Sequence, residues 1–199
     1  MTERDLKDIF IKLKKKIVND FKGNINPSNL NCVKIQVSGF TNKLKSVYPY
    51  RGLKDIPAFY EHEERTILFN KDLVKLLDRD FIINILYHEL LHASSFRKID
   101  KHKDKTTVKS GFYTQIFKKG KKINYFKLLN EGVIQYFTNK KTGFVKDSGY
   151  QWEANRISFL IEDIGDSILE KLFFQGDIKG FEKIIHKNFN STKILAILK

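Results

Sequence analysis

The residues best suited to chemistry lie in one short segment, residues 85 to 93, where His88 and Glu89 are followed by His92. In a helix, residues four apart share one face, so His88 and His92 can direct both imidazoles at a single cation. Glu89 then projects about 100° to one side, where its carboxylate can act on a nearby water. This His-Glu-x-x-His arrangement has the geometry that a hydrolytic zinc site needs, and we expect one Zn²⁺ per chain.

A catalytic zinc ion usually takes three protein ligands and keeps a fourth position open, so a further donor is needed downstream. Glu131 would project from the first turn of a second helix. His102 lies ten residues after His92 in a lysine-rich stretch, and Glu153 follows Trp152. The residue types alone leave these three alternatives open.

The chain resembles the gluzincin branch of the zincin metallopeptidases, the thermolysin-like and aminopeptidase-like enzymes. The resemblance covers about residues 58 to 137 and depends on His88 to His92 and on the Leu-Asn-Glu-Gly segment at 129–132. It implies that Glu131, in the Asn-Glu pair, is the third zinc ligand. Gly111-Phe112 adds a likeness to compact, uncharacterised bacterial gluzincin-like proteins. The 38 residues between His92 and Glu131 exceed the spacing in larger gluzincins.

The other two candidate ligands would imply other relatives. With His102 as the ligand, the chain would resemble SprT-like proteases that act on DNA–protein crosslinks. With Glu153, it would resemble the regulatory zinc peptidases that cleave phage-type repressors. A non-catalytic zincin-like regulatory or binding protein is a further alternative.

The gluzincin resemblance implies a zinc metallopeptidase, and we expect an endopeptidase in which Glu89 is the general base. The substrate would be a peptide or protein. The oxyanion of the tetrahedral intermediate needs another donor, for which the sequence offers Tyr113, Tyr125 and Tyr136. Related compact gluzincins place a tyrosine just before the ligand helix, which favours Tyr125. Ser94 and Asn130 are candidates for orienting a metal ligand.

Hydrophobic periodicity predicts the elements that must position these residues. The N-terminal helix should run from Asp5 to Phe21, with Thr2 as its N-cap and Gly23 at its end. The other predicted helices cover residues 72–77, 80–93 and 130–137, with further helices after Gly149 that are separated by Gly165, Gly176 and Gly180. A strand is predicted over 32–40, a hairpin over 58–60 and 65–69, a charged loop over 97–109, and extended segments over 108–117 and 122–126 that turn at Lys119-Gly120.

Together these elements predict an α+β, zincin-like fold with a small mixed or antiparallel sheet. The hairpin should lie beside the helix that carries His88, with residues 65–69 as the edge strand that binds substrate backbone. We expect a single domain over 1–199. Its sheet part would cover about 1–79, its active-site helices and an insertion 80–140, and a mainly helical part 141–199.

Composition limits the classes of protein that remain. The 199 residues include 17 Phe but only one Cys, and a single Cys excludes a disulfide framework. The sequence has no long apolar run, which indicates no membrane partner. The N-terminus lacks the layout of a cleaved signal peptide, so we expect a cytoplasmic protein. The net charge of +14 comes mainly from lysine. This bias favours a solvated basic surface, with nucleic acid as an alternative partner that is not favoured.

Overall fold

The computed structural model describes residues 1–38, 57–144 and 149–189. Within these ranges the chain forms two small sheets and eight helices, which confirms the predicted α+β class. The helices are α1 (Glu3–Asp20), α2 (Ser28–Asn31), α3 (Lys71–Val74), α4 (Arg79–Ser94), α5 (Lys127–Thr142), α6 (Gln151–Ile164), α7 (Asp166–Gln175) and α8 (Ile178–Asn188). The strands are β1 (Lys34–Ser38), β2 (Ala58–Glu61), β3 (Thr66–Asn70), β4 (Arg97–His102), β5 (Lys105–Ser110), β6 (Tyr113–Lys118) and β7 (Lys121–Tyr125).

Helix α1 confirms the predicted N-terminal helix and its N-cap. The Asp5 amide donates to Thr2 Oγ1 at 3.2 Å, and the Thr2 amide donates to Asp5 Oδ2 at 2.9 Å. This reciprocal capping box satisfies two N–H groups that the helix itself leaves unpaired. The apolar stripe of α1 is buried and packs against α4: Leu6, Ile9, Phe10, Leu13 and Ile17.

The first sheet has the strand order β1-β3-β2, with β1 parallel and β2 antiparallel to β3. The predicted hairpin is confirmed as β2 and β3. The prediction that residues 65–69 form the edge strand is wrong, because β3 has a neighbour on each side and all its residues are buried. Within the described residues β1 and β2 are the two edge strands, and β2 packs against α4. Strand β1 ends at Ser38, and the predicted end at Phe40 lies outside the described residues.

The second sheet is an antiparallel meander of β4, β5, β6 and β7. The charged loop predicted over 97–109 is wrong, because Arg97 pairs with Ser110 and His102 with Lys105. Frequent lysines hide this hairpin in the sequence, since a solvated sheet face accepts long charged side chains. The segments predicted over 108–117 and 122–126 are extended, although Gly111 and Phe112 divide the first one. The turn at Lys119-Gly120 is confirmed.

The helices hold the hydrophobic core. Helix α4 is buried on nearly all sides. Asp78 is its N-cap, and the Asp78 carboxylate accepts a hydrogen bond from the Phe81 amide at 2.7 Å. Helix α5 packs against both α4 and α6. It is longer at both ends than the helix predicted over 130–137. The predicted C-terminal helices are confirmed as α6, α7 and α8, with Gly165 and Gly176 between them. Gly180 does not separate helices, because it lies in the first turn of α8.

None of the helices among the described residues combines the length and the apolar character needed to cross a membrane.

Candidate metal centre

Helix α4 presents both histidines of the His-Glu-x-x-His pattern to one point. His88 and His92 lie one turn apart, and their Nε2 atoms are separated by 3.2 Å. His88 and Glu89 are buried, whereas His92 is partly exposed. The apolar residues around these three side chains bury the helix on most sides. Polar groups on such a helix can point inward only where they share a site with other polar groups.

Helix α5 crosses α4 and contributes Glu131 to the same point. Oε2 of Glu131 lies 3.2 Å from Nε2 of His88 and 3.1 Å from Nε2 of His92. A tetrahedral zinc ion separates its nitrogen and oxygen ligands by about 3.3 Å, so the three atoms have ligand spacing. Within the part of the chain that the structure describes, these three residues form the only cluster suited to a metal ion.

Asn130 and Gly132, the neighbours of Glu131, fix the start of α5. Asn130 Oδ1 accepts hydrogen bonds from the amides of Phe112 at 3.0 Å and Tyr113 at 3.3 Å, so it joins the β5–β6 turn to the helix. A Cβ on Gly132 would lie only 2.9 Å from Cβ of Glu153. The absence of a side chain at Gly132 therefore allows α6 to pack closely against α5. The Asn-Glu-Gly segment therefore combines one ligand with two residues that position it.

A hydrogen bond between His88 and Gln135 defines which ring nitrogen faces the cluster. Oε1 of Gln135 lies 3.0 Å from Nδ1 of His88, and an amide oxygen only accepts, so Nδ1 carries a hydrogen. With that hydrogen on Nδ1, Nε2 is the ring nitrogen that can offer a lone pair toward the carboxylate of Glu131. Two acceptors in contact repel each other, and a cation between them removes the repulsion. The residues therefore fit a bound zinc ion.

Gln135 belongs to a chain of side-chain amides that the sequence reasoning missed. Its Nε2 donates to Asn139 at 2.7 Å, Asn139 donates to Gln151 at 3.0 Å, and Gln151 donates to Asn155 at 2.9 Å. Each donor orients the next amide, so the oxygen of Gln135 is held toward His88. The signal was present in the sequence, because Glu131, Gln135 and Asn139 recur at intervals of four along one helix face.

Burial and the neighbouring imidazoles have opposite effects on the pKa values of Glu89 and Glu131. Burial raises the pKa of Glu89 above its ordinary value, against the lowering effects of His92 and His88. For Glu131 burial also favours a higher pKa, but the two imidazoles outweigh it and the pKa is lowered. A carboxylate that stays ionised beside two imidazoles suits a ligand, whereas one with a raised pKa suits proton transfer.

The cluster lies in a cleft of about 850 Å³. Edge strand β2 borders one side, and the meander borders the other through Tyr113, Gln115 and Phe117. The volume is in the range of ligand-binding sites. An extended peptide that enters this cleft would lie along β2, which pairs with β3 on one side only among the described residues.

The structure separates the three tyrosines proposed as oxyanion donors. Tyr113 lines the cleft. Side chains alternate between the faces of a sheet, and Asn124 lines the cleft, so Tyr125 lies on the opposite face, where it is 45% exposed. Tyr136 donates a hydrogen bond to Asp166 at 2.8 Å and does not line the cleft. The geometry therefore does not bring Tyr125 to the metal centre.

The other predicted residues also have defined places. His102 is exposed at the end of β4, and Glu153 packs against Gly132, so neither joins the cluster. Ser94 donates to the backbone oxygen of Leu91 at 3.0 Å and does not orient a ligand directly. Tyr150 was missed, although its ring stacks on His88 with centroids 6.0 Å apart.

His62, in the turn between β2 and β3, is a further cleft residue that the sequence did not predict. It lines the cleft, and its ring centroid is 6.4 Å from that of His92. Its Nδ1 atom is buried and has no hydrogen-bond partner among the residues that the structure describes. Burial, with smaller effects from His92 and Arg97, lowers its pKa to about 3, so the imidazole is neutral at physiological pH. No local sequence pattern indicates this position.

Comparison of the chain with protein-family models, curated proteins and solved structures gives no match. The class that the fold and site define is therefore limited to an α+β protein with a buried His-His-Glu cluster within reach of one metal ion.

Proposed function

We propose that this chain is a zinc-dependent metallopeptidase that hydrolyses peptide bonds, with internal bonds as the favoured target. The observation that carries the proposal is the contact of His88 Nε2 with Glu131 Oε2 at 3.2 Å while His88 Nδ1 faces Gln135. A lone pair and a carboxylate held together in this way are arranged for a cation. The pattern His-Glu-x-x-His adds a base beside that cation.

His88, His92 and Glu131 would hold the zinc ion. When bound there, zinc polarises a carbonyl group and lowers the pKa of a water. Glu89 takes the proton from the attacking water and returns it to the leaving amine. Its raised pKa favours this role because burial disfavours the charged carboxylate.

Edge strand β2 supports a peptide as the substrate. Residues 57–63 line the cleft beside Glu89, and the β2 backbone has no partner strand on that side among the described residues. An extended peptide can pair with such an edge through main-chain hydrogen bonds. This role was expected of residues 65–69 and moves to β2, because β3 is the central strand.

Metal content tests the proposal. Untagged protein purified without chelator should hold about one zinc per chain, as measured by elemental analysis. Glu131→Ala should lose most of it, whereas His102→Ala and Glu153→Ala should retain it, because only Glu131 contacts both histidines. Wild-type protein that holds no zinc and refuses it when supplied would contradict the proposal.

A second candidate function, association with nucleic acid, is favoured by the distribution of charge. Residues 97–125 contain ten Lys and Arg against two Asp, more than half of the net charge of +14. Strand alternation places the following lysines on the face opposite the cleft: Lys98, Lys105, Lys109, Lys118 and Lys121. Ile123 and Tyr125 lie exposed among them. Lysines with an exposed aromatic ring suit phosphates and bases of a single strand.

A further inference from the structure

His62 occupies the wall of the cleft in a way that packing alone does not explain. Its ring meets that of Tyr60 edge-on at 4.9 Å and lies 6.4 Å from that of Tyr113. Arg97 donates a hydrogen bond to the His62 backbone oxygen, which ties the turn to β4. Two tyrosine rings therefore flank the imidazole, and Arg97 holds the backbone of its turn.

The Nδ1 atom of His62 is nevertheless buried without a hydrogen-bond partner in the described parts of the chain. Buried polar atoms in folded proteins are paired in the great majority of cases, because an unpaired one loses its hydration without compensation. An imidazole with an unpaired nitrogen beside the metal cluster is suited to a hydrogen bond with a molecule that enters the cleft.

His62 does not belong to the metal ligands themselves. The donor atoms of His88, His92 and Glu131 all lie within 4.8 Å of one another, and this group does not extend to His62. A fourth protein ligand would also close the site, as in structural zinc centres, and would leave no open position. The ring spacing of 6.4 Å from His92 instead places His62 beside the cluster.

We propose that His62 is a catalytic hydrogen-bond donor to the carbonyl oxygen of the peptide bond that is cleaved. An imidazole N–H suits an oxygen that gains negative charge during attack by water. This is the role that the sequence assigned to Tyr125. The inference rests on the proposed peptidase function, because it requires a carbonyl group at the metal centre.

Acetohydroxamate provides a test that does not depend on finding the natural substrate, since it binds zinc and presents a carbonyl oxygen. Its affinity for the zinc-loaded full chain would be measured by titration calorimetry, together with zinc content and thermal midpoint. His62→Ala should keep its zinc and bind the probe about tenfold more weakly, or worse. His62→Gln retains an N–H donor and should recover part of the affinity. His102→Ala, an exposed histidine outside the cleft, should match the wild type.

The possible results separate the two proposals. Full zinc loading with equal probe affinity in His62→Ala and wild type would overturn the inference and leave the peptidase proposal standing. Loss of zinc in both His62→Ala and His62→Gln, with an intact fold, would also overturn it, because His62 would then be a ligand. Wild-type protein that binds no zinc would overturn both proposals together. Once a cleaved peptide is known, His62→Ala should lower kcat and leave KM nearly unchanged.

Discussion

Oε1 of Gln135 lies 3.0 Å from Nδ1 of His88, and this contact sets the tautomer of the histidine. Removing the amide would free the His88 ring to rotate and to shift its hydrogen to Nε2. Gln135→Leu should therefore weaken zinc binding by about 10- to 100-fold. Competition with a fluorescent chelator measures the affinity.

Gln151→Leu is the graded control for this prediction, because Gln151 lies two hydrogen bonds farther along the same amide chain. It should weaken zinc binding by much less. Equal zinc affinity in Gln135→Leu and wild type would show that packing alone orients His88.

Glu89→Gln separates metal binding from chemistry. The amide has nearly the shape of the carboxylate but cannot accept the proton of water, and Glu89 is not one of the three clustered ligands. Zinc content should stay at the wild-type level, while cleavage of a quenched fluorescent peptide library falls by about 10²- to 10⁴-fold. Glu162→Gln, an exposed position on α6, is the matched control. Retained cleavage by Glu89→Gln would rule out Glu89 as the base.

Gly111→Ala should destabilise the protein by about 2–4 kcal/mol. Its φ of 54° is unfavourable for a residue with a side chain, and a Cβ would lie 2.6 Å from both Asn130 Oδ1 and Phe173 Cε2. The turn joined to the ligand helix would have to shift. Urea unfolding followed by circular dichroism measures the loss.

Gly120→Ala isolates the packing part of this cost. Gly120 also has a positive φ, of 74°, but a Cβ there would meet nothing within 4 Å. It should lose only the backbone cost of about 1–2 kcal/mol. If both variants lose the same free energy of unfolding, the contact of Gly111 with Asn130 does not constrain the turn.

The clustered residues were predictable because they depend on local spacing and on the resemblance. His88 and His92 share a helix face by the four-residue rule, and Glu131 followed from the resemblance of its helix start to gluzincins. The same four-residue rule could have indicated Gln135, which lies one helical turn after Glu131. Helix α1 was predictable for a related reason, since its apolar periodicity and its N-cap lie within one segment. Helix α4 was predictable from a long apolar run, whereas both ends of α5 were missed.

The errors concern relations between distant segments. Strand β3 was taken as an edge because its pairing with β1 joins residues far apart in sequence, which local alternation does not reveal. The preference for Tyr125 came from its position before α5, but a shift of one residue along β7 changes the sheet face. His62 reaches the cleft only because the hairpin folds over α4, so no pattern around it indicated a role.

The last prediction concerns the lysines on the outer face of the meander. Phosphate contacts release counterions, so the logarithm of affinity for single strands falls with the logarithm of salt by about 0.7 per contact. Wild-type protein should bind a fluorescein-labelled oligothymidine at low salt, as measured by anisotropy. The triple variant of Lys105, Lys118 and Lys121 to alanine should then lower that slope by about 2.

A control with the same loss of charge distinguishes this surface from the basic character of the whole chain. Lys12, Lys15 and Lys22 are exposed on or just after α1, away from the meander. Their triple alanine variant should keep the wild-type slope, because general charge acts weakly at a distance beyond the Debye length. Equal losses in both triple variants would show that the meander lysines serve only to solvate an exposed sheet face. In that case the charge of +14 describes solubility rather than a nucleic-acid partner.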